Sequence, residues 1–278
     1  MNVSTRVVLA ACVALGALTP ASATHSWGGY HWAGSGSNLT LKVNKAIGSQ
    51  WTASVNAAIS DWNSSNELTF TSTTSTANRR KCSPIAGQIL VCNDSYGQRG
   101  WLGIASIWLT SDHISQATTK LNDSYFNQAQ YNTPAWRALV ACQEIGHDFG
   151  LDHQDEAFGP PNLGTCMDYT NDPDGGGAYG PSNQHPNAHD YSMLNTIYNH
   201  NDGFTTASAS TNFGIRSVGQ RPSAGPQSEE AIGDSPAEWG RAIHRDGQGR
   251  PDVFVKDLGP NRKAITHVFW AIGEGPKE

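Results

Sequence analysis

The stretch that most narrows the fold is "NTPAWRALVACQEIGHDFGLDH", residues 132–153. Thr133 suits a helix N-cap, and Pro134 suits the first turn, where its missing N–H costs nothing. Gly150 supplies a stop, because it tolerates a positive φ. Residues four apart share a helix face, so Gln143 and His147 point the same way, in line with Trp136 and Val140. Glu144 stands next to them. Beyond the glycine the chain can fold back, and His153 then approaches the same point from below.

These residue types in this order point to a metal. Catalytic zinc takes three protein ligands and keeps a fourth position for water. His147 and His153 are the expected ligands, and Gln143 is the expected third. Glu144, beside the ligands but off the metal, is expected to take a proton from the water. A carboxamide oxygen is a weaker donor to borderline-soft zinc than an imidazole nitrogen.

"CMDY", Cys166 to Tyr169, follows soon after His153. Here the chain resembles the metzincin clan of zinc peptidases, most nearly the matrixin-like ones, with Gln143 where their first motif histidine stands. The resemblance covers roughly residues 38–200. It implies an α+β fold: a metzincin-like zincin domain with a twisted mixed sheet, an active-site helix and a C-terminal helix. Met167 would be the methionine of the turn beneath the metal. Tyr169 falls where some members carry a metal-associated tyrosine, and it would stabilise an oxyanion. The implied activity is hydrolysis of peptide bonds in a peptide or protein substrate, with zinc as cofactor. Three outcomes stay open at the replaced ligand: Gln143 binds through its oxygen, Tyr169 completes a His147/His153/Tyr169 set, or the metal is lost. The last gives the alternative function, a catalytically inactive secreted binding module.

Export is read from the N-terminus. Arg6, the apolar run "VVLAACVALGAL" and "ASA" at residues 21–23 form a secretory signal with its cleavage site. The mature chain is expected to start near Thr24. "LAAC" at residues 9–12 is a weaker competitor, a lipoprotein cleavage box. Four cysteines then remain, Cys82, Cys92, Cys142 and Cys166, an even number that favours two disulfides in an exported chain. Cys82 with Cys92 closes a short local loop, leaving Cys142 with Cys166, a pair that would tie the active-site helix to the methionine turn. Four cysteines on zinc is the competing reading, but no C-x-x-C spacing supports it.

Alternating or apolar runs predict strands at Asn38–Val43, Glu67–Thr73, Gly100–Leu109 and Ile114–Asn122. Trp51, Val55, Ala58, Ile59 and Trp62 recur at helical spacing, and Ala188–His200 forms a last helix. The glycines of the Gly100–Leu109 run suggest an edge strand, along which an extended substrate would pair. The domain boundaries are a signal peptide over 1–23, a catalytic domain over 24–203, a Ser/Gly/Pro-rich linker over 204–235 and a β-hairpin segment over 236–278. "NDPDGGGAYG", residues 171–180, is acidic enough to raise calcium, but reads better as a solvated turn. A net charge of -6 leaves no footprint for nucleic acid. No run is long enough to span a membrane, and a monomer is expected.

Overall fold

The computed structural model describes residues 25–36, 38–158, 162–175, 180–207 and 228–276. The signal peptide, the lipoprotein box and most of the linker lie outside the described residues. The fold is α+β, built on a nine-stranded mixed sheet. Its strands are β1 (His31–Trp32), β2 (Leu39–Ala46), β3 (Leu68–Thr74), β4 (Ile89–Asp94), β5 (Trp101–Thr110), β6 (His113–Asn122), β7 (Arg241–Arg245), β8 (Pro251–Asp257) and β9 (Arg262–Trp270). The order across the sheet is β3-β2-β4-β6-β5-β9-β8-β7, with β1 paired to β6. The pairs β2–β3, β2–β4 and β4–β6 are parallel, and those from β6 through β5, β9 and β8 to β7 are antiparallel.

Among the described residues five helices accompany the sheet: α1 (Ser49–Trp62), α2 (Asp123–Phe126), α3 (Pro134–His147), α4 (Ala188–Tyr198) and α5 (Pro236–Trp239). The expected stripe of α1 (Trp51, Val55, Ala58, Ile59 and Trp62) is its buried face. It joins Leu139, Val140 and Ile145 of α3 in the main core. Thr133 caps α3 as expected, its hydroxyl accepting from the Trp136 N–H. Both expected disulfides are formed, Cys82–Cys92 with Cα atoms 6.0 Å apart and Cys142–Cys166 with Cα atoms 5.8 Å apart. The first bridges into a strand, not merely a loop. β4 begins at Ile89, inside the segment read as a stapled loop.

The expectation of an edge at Gly100–Leu109 is corrected. β5 lies inside the sheet, with β6 on one side and β9 on the other. Its residues Trp101 to Leu109 are all buried. Leu102, Ile107 and Leu109 enter the main core, whereas Trp101, Ile104 and Trp108 face a second one. That second core is completed by Trp239, Phe254, Val268 and Trp270 from the C-terminal segment. An apolar run continuous over both faces signals a strand covered on both, and here it outweighs the glycines.

Consequently the C-terminal segment is more than a hairpin. Three strands and α5 extend the sheet of the main domain without a break. Lys120 of β6 also anchors its approach, donating to the Ile232 carbonyl at 2.6 Å and pairing with Asp234 at 2.8 Å. In the acidic turn Asp172 receives the Gly175 N–H and the Asn162 amide, the pattern of a hydrogen-bonded turn.

Candidate metal centre

Helix α3 delivers Gln143, Glu144 and His147 as fully buried residues at its C-terminal end. Gly150 then takes φ +97°, open to glycine and strained for other residues. The chain turns back there under the N-terminal segment. Trp27 N–H donates to the Gly150 carbonyl at 3.1 Å, Ser26 bridges Leu151, and Asp152 N–H donates to His25. The return places the His153 ring 5.0 Å from that of His147.

A third histidine that sequence reasoning missed completes the group. His267 of β9 sits with its ring 3.9 Å from His147 and 4.2 Å from His153. Ligand atoms of the three lie within 4.8 Å of one another, close enough to hold one metal ion. The only local signal for His267 was a polar residue amid the apolar "AITHVFWAI". Its partners lie in α3 and the following return, so their proximity is a property of the sheet pairing.

The surrounding contacts prepare two imidazoles for a metal. His147 Nδ1 donates to the Leu151 carbonyl at 2.8 Å, and His153 Nδ1 meets Glu156 Oε1 at 2.8 Å. Each contact fixes the ring and frees Nε2, as outer partners of metal-bound histidines do. Both Nε2 atoms, and both ring nitrogens of His267, are buried without a hydrogen-bond partner. Asp252 stands 3.7 Å from His267 Nε2. Trp27 stacks on His147 at 5.0 Å and 10°. Leaving this many buried ring nitrogens unpaired is costly, and a divalent cation would relieve that cost. The three imidazoles could hold a divalent metal ion.

Burial and neighbouring rings push the His147 and His267 pKa values below the ordinary range. Burial also works against the His153 cation, but the adjacent Glu156 carboxylate, with Asp152 and Asp252, outweighs it and raises that pKa. Burial, reinforced by Asp148, raises the Glu144 carboxyl well above the usual carboxylate range. Glu144 packs tightly on β5, where a Cβ on Gly103 would stand 2.7 Å from its Cγ.

The remaining expected residues are placed as follows. Gln143 donates its amide to the carbonyls of Cys166 at 2.8 Å and Asp168 at 3.2 Å, and its Oε1 is buried without a partner. Met167 lies under α3, and a Cβ on Gly146 would stand 2.7 Å from its sulfur. The Tyr169 ring lies 4.5 Å from that of His153. Its hydroxyl, however, is engaged by the C-terminal segment, donating to the Val268 carbonyl at 3.2 Å and accepting from Trp270 N–H at 2.8 Å. Among the described residues no helix is long and apolar enough to cross a membrane. Compared with known proteins, the chain matches no family model and no curated protein.

Proposed function

We propose that the protein is a secreted zinc metallopeptidase whose described form is closed. The observation that carries this reading is the buried His147/His153/His267 group, with unpartnered ring nitrogens, on the helix that carries Glu144. Zinc held there would act as a Lewis acid toward a carbonyl and lower the pKa of a bound water. Glu144, three residues before His147, is the group that takes and returns the proton. The antiparallel lie of β9 on β5 supports an extended peptide as occupant, because β5 accepts a strand along Trp101–Thr110.

In the closed form β9 holds that place itself, and burial pushes the Glu144 carboxyl pKa upward, against its role as a base. Peptide cleavage therefore requires β9 to yield its position. Gln143, whose Oε1 lacks a partner, remains the reserve ligand when His267 is withdrawn. The burial of Glu144 also favours a second reading, a non-catalytic binding module on the same scaffold.

Zinc content and casein cleavage, measured on the parent and on Glu144→Gln, His153→Ala and His267→Ala, separate the two. The peptidase reading expects His153→Ala to lose one zinc per chain. Glu144→Gln should keep that zinc and abolish cleavage, since it retains the shape and removes the base. His267→Ala should bind zinc at least about tenfold more weakly, a difference of about 1.4 kcal/mol. A zinc-loaded parent that cleaves nothing, with Glu144→Gln indistinguishable from it, leaves the binding module.

A further inference from the structure

A second cluster of imidazoles lies away from this centre, where β1, the start of β6 and the chain after α4 meet. Register places His31 opposite His113 across the β1–β6 pair. His200 and Asp202 follow the end of α4 and fold over both. Ligand atoms of His31, His113 and Asp202 lie within 4.8 Å of one another, and His200 Nε2 meets two of them, those of His31 and Asp202. Asp202 Oδ1 lies 3.5 Å from His31 Nε2, 3.4 Å from His113 Nε2 and 3.0 Å from His200 Nε2. His31 Nε2 and His200 Nε2 stand 3.0 Å apart.

Tetrahedral zinc with bonds of about 2.0–2.1 Å holds neighbouring donors roughly 3.3–3.4 Å from one another. The observed separations straddle that value. Hydrogen bonding alone explains the arrangement poorly, because a single carboxylate oxygen meets three imidazole nitrogens and two of those nitrogens also face each other.

Outer contacts orient the donors. His31 Nδ1 donates to the Gly29 carbonyl at 2.7 Å, which leaves Nε2 as the free donor atom. Asp202 Oδ2 accepts the Gly34 N–H at 2.8 Å, leaving Oδ1 for the cluster. The Asp202 N–H donates to the Gly34 carbonyl at 2.9 Å, so the same loop clamps this residue twice.

We propose that His31, His113, His200 and Asp202 form a structural divalent-cation site, zinc by donor type and geometry, that staples the N-terminal segment to the end of α4. Four protein donors close the shell and leave no position for a reacting water, which separates this site from the centre on α3. The staple has a purpose in the fold. The segment it secures runs from His25 to Trp32, carrying Trp27 onto His147 and pairing with the return after Gly150.

The site does not depend on the peptidase reading, and the test keeps them apart. The mature protein is stripped with chelator and titrated with zinc, and cobalt(II) spectra report the ligand geometry. In a His153→Ala background, which removes the centre on α3, one zinc per chain is expected to remain, with the intense visible bands of tetrahedral cobalt. Adding Asp202→Asn or His200→Asn should remove that zinc and the bands. His200→Asn is the gentler variant, being on the surface and keeping a polar side chain near Asp202. Melting temperature should fall on chelation in His153→Ala alone, and chelator should have no effect once either further substitution is present. Unchanged zinc content in both Asp202→Asn and His200→Asn would overturn the site. Octahedral cobalt spectra would overturn the four-donor shell.

Discussion

Single residues set the geometry of the candidate metal centre, Gly150 most of all. Its φ of +97° reverses the chain between His147 and His153, and a Cβ there would overlap the Tyr30 carbonyl. Gly150→Ala must therefore distort either the backbone or the β1 approach. A cost of at least about 2 kcal/mol is expected from strain of this kind, read as a lower urea midpoint at unchanged slope. Zinc affinity at the α3 centre should fall with it, because the two histidines on either side of the turn shift. Gly150 was legible in sequence for a simple reason: a glycine after a helix that ends in a histidine, followed by another histidine, is a local pattern. Gln143 was equally visible, but its environment was not. Whether its amide meets a metal or the carbonyls of Cys166 and Asp168 depends on how the later loop lies beneath the helix.

Elements add a pH dependence that no single residue carries. His244 of β7 pairs with Asp252 of β8 at 2.9 Å, and this hydrogen bond raises the His244 pKa to about 9. Burial opposes ionisation of Asp252, but His244, His267 and His153 together outweigh it and lower the carboxyl pKa. The sign follows from linkage. A histidine whose folded pKa lies above its ordinary value of about 6.5 stabilises the fold fully below that value. The contribution fades as pH climbs toward 9. Melting curves between pH 6 and pH 9.5 should show the parent losing stability across this window more steeply than His244→Gln. Parallel slopes in the two proteins would mean that the β7–β8 pair does not depend on this contact. Most elements were legible in sequence because periodicity is local: α1, α3, α4, β2, β3, β5, β6, β8 and β9 follow runs visible in the chain. β4 was obscured because a disulfide-flanked segment reads as a loop, and β7 because "RAIHR" is short and mostly exposed.

At the scale of the whole molecule, the C-terminal segment is held by strand pairing, by a second core and by Lys120. β9 pairs with β5 from Trp101 to Thr110, and Trp239, Phe254, Val268 and Trp270 close the core on that side. A protease recognition sequence placed between residues 207 and 228 tests how tightly the parts are joined. After cleavage the two fragments should co-elute in gel filtration under native conditions and separate only in denaturant. Spontaneous separation of the nicked protein would show that the sheet pairing is weak.

What the sequence alone determined was therefore local: the helix with its Thr133 cap, the glycine reversal, the histidines on either side of it, and the two cysteine pairs. Each depends on residues close in the chain or, for Cys142 and Cys166, on simple elimination after the short loop is closed. What only the tertiary structure decided was which distant residues share a point. β5 is interior because β9 lies along it, and His267 joins His147 and His153 because that pairing sets its register. His31, His113, His200 and Asp202 likewise meet only where the first strand, the β5–β6 turn and the end of α4 come together. Periodicity reports which face of an element is buried, but it carries no information about which neighbour buries it. That choice is made by the packing of the whole sheet.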